Sequence, residues 1–419
     1  MNYALCIADN VKEFIEKHLK DDVNRLALAK FPEDIDREFV IRQIHARQVL
    51  SKKLPSWAEN DELVFPKKLS LEQCSSELTA KYKSFLVKGK TLIDLTGGMG
   101  VDTAFLSDNF DKTYYVEMQE ELCEIAKHNF KLLNKNIEVV NDNAEHFLTI
   151  CDEVDCIYLD PARRDEYGRK MVSLHDCSPD VVELHDILLK KAKRVLVKVS
   201  PMLDIEMVKK ELKDISEIHV VAVRNECKEI IICQRTTDNG QQSVGASQNL
   251  SILATDLREG WNFAFTENEE LEAQWTLADN VGKYLYEPGA ACMKAACFKL
   301  LSQRYGLDKL HRNSHLYTSD ELVADFPGRI FEVVNVVPFD KKAKKNIWTL
   351  GLEDAETQRR KDAKKDSATL KKASVAVRNF PLSAEELKKN LGLQDGSDFY
   401  VFGSTMKGEK KIVILTKKV

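Results

Sequence analysis

"LIDLTGGMGVDT", Leu92 to Thr103, sets three glycines in four positions directly behind an apolar run. An apolar strand followed at once by Gly97, Gly98 and Gly100 predicts a sharp turn into a helix. Glycine tolerates positive φ and leaves backbone N–H groups bare near a helix start, where a ligand can approach. The sequence around this loop keeps the same rhythm. "TLIDL", "TYYVE", "IEVVN", "DCIYLD" and "RVLVKVS" are strand candidates, with helical stretches such as "QEELCEIAKHNFKLL" and "DVVELHDILLKKA" between them. Strand, helix, strand at this spacing predicts a parallel sheet covered by helices. "EIHVVAVRN" and "KEIIICQR", joined by a short polar turn, predict an antiparallel pair closing that sheet.

The chain has 419 residues, enough for two or three domains. Residues 1–70 read as helical, because "VKEFIEKHLKDDVNRLALAK" and "REFVIRQIHARQVLSKKL" repeat apolar residues every three or four positions. "SLEQCSSELTAKYKSFLV" reads as one further helix leading into the sheet domain, 71–236. After a polar linker, "LSILATDL" and "WNFAF" predict a hairpin, "GAACMKAACFKLLSQRYG" a helix ending at Gly306, and "RIFEVVNVV" a strand stopped by Pro338. These form an α+β module, 249–340. The last module, 341–419, begins lysine-rich and then reads strand, helix, strand, strand from "SVAVRNF" onward.

Composition is that of a globular protein, 43% hydrophobic and 31% charged, with no apolar run of membrane-spanning length. The N-terminal residues lack signal-peptide features, and the ten cysteines include no C-x-x-C pair. The expectation is a cytoplasmic protein without a metal site. The net charge of −5 is uneven: residues 341–419 carry nineteen Lys/Arg against ten Asp/Glu. A basic end on an acidic chain points to a polyanionic partner, or simply to a solvated lysine-rich surface.

The loop suits a dinucleotide or S-adenosylmethionine (SAM). The dinucleotide fingerprint G-x-G-x-x-G fails, since Thr103 stands at the third glycine. Asp94, four residues before Gly98, fits the D-x-x-x-G-x-G pattern of class I SAM-dependent methyltransferases, with Thr96 in place of the usual first glycine. The second strand ends in Glu117, followed by Met118, and an acid there can accept both ribose hydroxyls. The third strand ends at Asp142 and Asn143, where an adenine amino group needs an acceptor. All of these fall at the carboxyl edge of the predicted sheet, where open parallel sheets bind ligands. The fourth strand runs into "IYLDPARRD", and a strand entering Asp160-Pro161 looks like the catalytic motif of nucleic-acid methyltransferases.

Residues 91–235 thus resemble a class I SAM-dependent methyltransferase domain, with a Rossmann-like sheet of seven strands. "EQCSSELTAKYK", "KYLYEPGAACMKAACFKLL", "FPGRIFEV" and "AVRNFPLSAEELKKNLGL" resemble a narrower bacterial family with ferredoxin-like and THUMP-like modules. That resemblance implies SAM as cofactor and a structured RNA, rRNA or tRNA, as partner, delivered by residues 341–419. It implies cofactor binding by Asp94, Thr96, Gly97, Gly98, Gly100, Glu117, Met118, Asp142 and Asn143, and catalysis by Asp160, Pro161 and Arg163.

The accepting atom is less defined. Ala162 and Arg163 stand where enzymes that methylate base amino groups carry a second proline and a stacking aromatic. The fifth strand ends in Ser200-Pro201 without the cysteine that uracil-C5 chemistry needs, and Cys177 reads as a core or loop thiol. Direct transfer to a nitrogen or an oxygen remains, with Asp160 orienting the acceptor and Arg163 or Arg164 holding substrate or pairing with Asp165 or Glu166. Lys198 is a further candidate for the same cleft. The alternatives are a non-catalytic SAM- and RNA-binding assembly factor, and a methyltransferase acting on DNA.

Overall fold

The computed structural model describes residues 7–163, 173–235, 250–349, 372–396 and 398–419. The chain divides into two compact units: residues 1–218 with 229–250, and residues 219–228 with 251–419.

The first unit opens with helices α1 (Asp9–His18), α2 (Val23–Leu26), α3 (Arg37–Lys53) and α4 (Pro55–Ala58). The single helix expected over "SLEQCSSELTAKYKSFLV" is two: α5 (Lys68–Gln73) and α6 (Glu77–Phe85). The break has a local cause. Cys74 is extended, and Ser76 caps α6 by accepting the N–H of Thr79. Ser75, between them, turns its hydroxyl to Asp102.

The sheet follows with β1 (Gly89–Asp94), helix α7 (Val101–Leu106), β2 (Phe110–Glu117), α8 (Glu120–Leu132), β3 (Ile137–Asn141), α9 (Ala144–Ile150) and β4 (Val154–Leu159). A two-strand ribbon, β5 (Ala162–Arg163) and β6 (Cys177–Ser178), precedes α10 (His185–Lys191) and β7 (Ala192–Val199). The helix expected over "DVVELHDILLKKA" therefore occupies only its second half, after a turn. Next come α11 (Ile205–Glu211), β8 (Ile215–Val223) and β9 (Glu226–Arg235). Among the described residues the sheet has nine strands rather than the expected seven, and these seven lie in it in the order β8-β9-β7-β4-β1-β2-β3. β1 pairs parallel with β2 and β4, β2 with β3, and β4 with β7, whereas β9 runs antiparallel to β7. Arg224 and Asn225 join β8 to β9 with φ of 54° and 59°, the two positive values of a tight type I′ hairpin. This is the class I methyltransferase order with its reversed strand. One core packs Trp57, Leu63, Phe65, Tyr115 and Phe130, and so ties the N-terminal helices to the face of the sheet carrying α8.

In the second unit β10 (Ser251–Asp256) and β11 (Trp261–Thr266) form the expected hairpin. Then follow α12 (Glu267–Glu272), β12 (Tyr284–Pro288), α13 (Ala290–Ala295), α14 (Phe298–Tyr305), β13 (Asp308–Lys309), β14 (Tyr317–Ser319) and β15 (Gly328–Pro338). The helix expected across "GAACMKAACFKLLSQRYG" is broken in two, because Ala296 adopts φ of 58° between α13 and α14. The chain closes with α15 (Ala343–Thr349), β16 (Ser374–Arg378), α16 (Ala384–Leu391), β17 (Tyr400–Met406) and β18 (Lys410–Lys418). The sheet order is β13-β14-β12-β15-β18-β17-β16. β15 pairs with β18 along most of its length, so residues 328–338 and 410–418 share one sheet.

Candidate active site

At the carboxyl ends of β1, β2 and β4 lies a cavity of about 220 Å³. Its wall includes Thr96, Gly97, Gly98 and Gly100 of the glycine loop, Glu117 and Met118 after β2, and Asp160 after β4. α5 and the break behind it add Ser70, Gln73, Cys74 and Ser75, and the β6 segment adds Ser178 and Pro179.

The loop is held from below. Asp94 is buried, and its carboxylate accepts the Thr103 hydroxyl at 2.6 Å and the Thr96 N–H at 3.0 Å. Burial pushes its pKa up to about 7, against the pull of those two hydrogen bonds. Thr96, the departure from the usual glycine, has a use of its own. Its hydroxyl accepts the N–H of Asp160 at 2.6 Å and so ties the loop to the end of β4. Glu117 accepts the Gly98 N–H on one oxygen, at 3.0 Å, and the Gln119 N–H on the other, at 2.9 Å. Its carboxylate is thereby fixed beside the loop by backbone alone.

The glycines answer to the protein as much as to any ligand. A Cβ at Gly97 would lie 2.3 Å from the Tyr115 ring, and one at Gly100 would lie 2.7 Å from the Phe130 ring. Tyr115 also donates its hydroxyl to the Gly98 carbonyl at 2.6 Å. At Gly98 (φ 54°) an added Cβ would find nothing nearer than 3.8 Å. So two of the three glycines make room for core aromatics, a requirement the "YY" of β2 signals only once the fold is known.

Asp142 and Asn143 are not part of the cavity wall; Ala144 and Glu145, the next two residues, are. Both side chains are engaged by the first turn of α9. Asn143 caps it through the His146 N–H, and the Asp142 carboxylate meets His146 Nδ1 at 2.6 Å. That bond to His146 holds Asp142 below the usual carboxylate range. Pro161 is half-buried behind Asp160, and Ala162 reaches the wall. Arg163 pairs through its backbone with Cys177, which is buried. The Arg163 side chain and Arg164, Asp165 and Glu166 lie outside the described residues.

Behind the inner end of the cavity sits a charge cluster that sequence reading mostly missed. Lys83 of α6 is fully buried, 2.7 Å from Glu229 of β9 and 3.2 Å from Asp102 of α7. Asp102 also accepts the hydroxyls of Ser75 and Tyr158, each at 2.7 Å. Burial works against the Asp102 charge, yet Lys83 and Lys198 hold its pKa below the ordinary value. Lys198 of β7 is ion-paired with Asp160. Burial would lower the Lys198 pKa, but Asp160, Asp102 and Glu229 raise it well above that of a free lysine. Asp160 and Lys198 are thus brought together, with Asp160 in the cavity wall and Lys198, the further candidate for the cleft, behind it. Lys83, Asp102 and Glu229 stand on elements whose sequence pattern reads only as core-facing.

Among the described residues no helix is long and apolar enough to cross a membrane. Family comparison matches a ferredoxin-like domain over residues 284–327 and a THUMP domain-like region over residues 352–418. The chain is similar to the solved "putative methyltransferase from Porphyromonas gingivalis W83", with 32% identity, 98% of each chain covered and a TM-score of 0.82. Two solved structures match a smaller part. An "rRNA Methylase from Streptococcus thermophilus" is 15% identical over 38% of this chain and 95% of its own, with a TM-score of 0.29. A "putative methyltransferase from streptococcus mutans in complex with SAH" is 17% identical over 38% of this chain and 94% of its own, again with a TM-score of 0.29. No curated protein matches the chain. With that identity across nearly its whole length, and with both accessory modules present, the chain belongs to the bacterial family of THUMP-like-domain methyltransferase proteins that includes the Porphyromonas gingivalis protein.

Proposed function

We propose that this protein is a SAM-dependent methyltransferase acting on a nitrogen or an oxygen of a structured RNA. The observation that carries the reading is one cavity walled by the glycine loop, Glu117 and Asp160 together. The site fits SAM on the chemistry of its groups. The Glu117 carboxylate, oriented by two backbone N–H groups, keeps lone pairs for a ribose diol. The open space at Gly98 leaves bare backbone on the cavity side, and Met118 adds an apolar wall. Ala144 and Glu145, the segment just after Asp142 and Asn143, would hold the adenine end. When bound, SAM supplies a methyl group on a sulfonium centre, so the protein's share of catalysis is mostly positioning. Asp160 orients the acceptor, with Pro161 stiffening the turn behind it.

The RNA part of the reading is supported by the THUMP-like match and the basic balance of residues 341–419. Tritiated SAM, the full-length protein and RNA from a strain lacking the gene test it. Label should enter one RNA species and vanish with Asp160→Ala, while SAM still binds. Label at the wild-type rate with that variant removes Asp160 from the mechanism. Glu117→Ala should weaken SAM binding by about 1–3 kcal/mol in calorimetry, and unchanged affinity removes the ribose assignment. Lys417→Glu/Lys418→Glu, on exposed positions at the end of β18, should lower RNA affinity and flatten its salt dependence. Binding equal to wild type at every salt concentration overturns the delivery role.

A further inference from the structure

Five ionisable side chains converge behind the inner end of the cavity: Lys83, Asp102, Asp160, Lys198 and Glu229. Lys83 and Glu229 are 0% and 3% exposed, and Asp102 is 8% exposed. Well-packed apolar residues serve a fold at least as well as buried ion pairs, which lose hydration on burial. Among the described residues no hydrogen bond joins any of the five to Gly98 or Glu117; those two bond to each other, to the Gln119 N–H and to the Tyr115 hydroxyl. The cluster instead reaches the cavity through Asp102, Asp160 and Tyr158, whose hydroxyl bonds to Asp102. Its charges therefore act at the acceptor end of the site.

Two kinds of acceptor make different demands there. A base amino group, whose lone pair is shared with the ring, is turned toward the methyl by an N–H acceptor, and its enzymes hold the flipped base on an aromatic surface. The aromatic residue in the described cavity wall is Tyr158, 1% exposed and with its hydroxyl given to Asp102. The position after Asp160-Pro161 is Ala162. A hydroxyl needs something else: a base to take its proton as the new bond forms, and a cation to offset the charge growing on oxygen. Asp160 has one oxygen on Lys198 and, among the described residues, no hydrogen bond to the other. Its side chain is 34% exposed at the cavity, while Lys198 behind it is 13% exposed.

Resting on the methyl-transfer reading above, we infer that the accepting atom is a hydroxyl oxygen, in RNA the ribose 2′-hydroxyl, and that Asp160 paired with Lys198 takes its proton. The O–CH3 bond forms as the S–CH3 bond breaks. Sulfur keeps the electron pair and leaves as a neutral thioether. The hydroxyl proton passes to the free oxygen of Asp160, which returns it to water after product release. Lys198 stays an ammonium throughout and stabilises the oxygen as it loses its proton. Lys83, Asp102 and Glu229 are positioning residues: the two carboxylates keep Lys198 charged, and Lys83 keeps the two carboxylates in place.

The test starts from the tritium assay with full-length protein, using total RNA and ribosomal subunits from a strain lacking the gene. The labelled RNA is then hydrolysed in alkali. A 2′-O-methyl group blocks cleavage at the neighbouring phosphodiester, so label should run as alkali-stable dinucleotides. Lys198→Met should lower transfer by about 100-fold or more with SAM binding retained. Lys198→Arg, which keeps the charge and spares the fold, should recover at least about a tenth of the wild-type rate. Label in mononucleotides overturns the hydroxyl acceptor while leaving methyl transfer standing. Wild-type transfer by Lys198→Met overturns the role of the pair. No label in any RNA, with SAM bound, overturns the RNA methyltransferase reading and this inference with it.

Discussion

The two ends of one cavity are built in opposite ways. The glycine-loop end is made from contiguous residues, Asp94 to Val101, with Glu117 added from the next strand. Its contacts are backbone N–H groups meeting carboxylates, and its glycines lie against Tyr115 and Phe130. The Asp160 end draws on α6, α7, β4, β7 and β9, and is held by side-chain charges. A backbone-made site is fixed by local conformation, whereas a charge-made site depends on every member being present. The first should therefore tolerate loss of one contact, and the second should not.

Lys83→Met is the hardest blow to that comparison. It leaves Asp102 and Glu229 facing each other without their shared cation, and breaking such a buried pair costs about 3–5 kcal/mol. Denaturant unfolding should show the loss, and Lys83→Met/Glu229→Met should regain part of it by removing one stranded carboxylate. A single-variant loss below about 1 kcal/mol would mean that the cluster is far looser than its distances imply.

Asp94 belongs to the loop end yet is itself buried, so it tests the boundary between the two designs. Its pKa rises from 3.8 to about 7, chiefly through burial. Between those values the folded chain holds a proton that the unfolded chain releases. Its contribution is therefore most favourable at low pH and is lost as pH rises from about 4 to about 7. The span is at most about 4 kcal/mol. Asp94→Asn should remove this slope, so that its stability relative to wild type improves between pH 5 and pH 7.5. A constant difference across that range would show that Asp94 is ionised throughout in the fold.

The same contrast explains what could be read from sequence. The loop, the strand-end acids and the reversed last strand announce themselves through spacing, because each is a local pattern of residue type. The type I′ turn at Arg224-Asn225 and the Ser383 cap of α16 are equally local. Lys83, Asp102 and Glu229 carry no such pattern. Each sits at a core-facing position of an ordinary helix or strand, and only the fold shows that 146 residues of sequence separate Lys83 from a partner 2.7 Å away. The two helix breaks were hidden for a different reason. Cys74 and Ala296 sit inside good helical periodicity, and it is the extended Cys74 with the Ser76 cap behind it, and the left-handed Ala296, that interrupt it. Asp142 and Asn143 show the reverse case: a pattern that reads as ligand-facing also starts a helix.

The finest distinction lies within the loop itself. Gly98 and Gly100 both have positive φ, 54° and 81°, so alanine costs either position about 1–2 kcal/mol of backbone strain. At Gly100 the new methyl also meets Phe130 at 2.7 Å, and overpacking adds about 1–3 kcal/mol. At Gly98 it meets nothing within 3.8 Å and stands at the cavity wall. Gly100→Ala should therefore show the larger loss in unfolding midpoint. Gly98→Ala should keep more of its stability and show the larger loss of SAM affinity per kcal/mol of stability lost. Equal losses on both measurements would mean that the loop is a single structural turn. Unequal losses in the stated direction separate the glycine kept for the core from the glycine kept for the ligand.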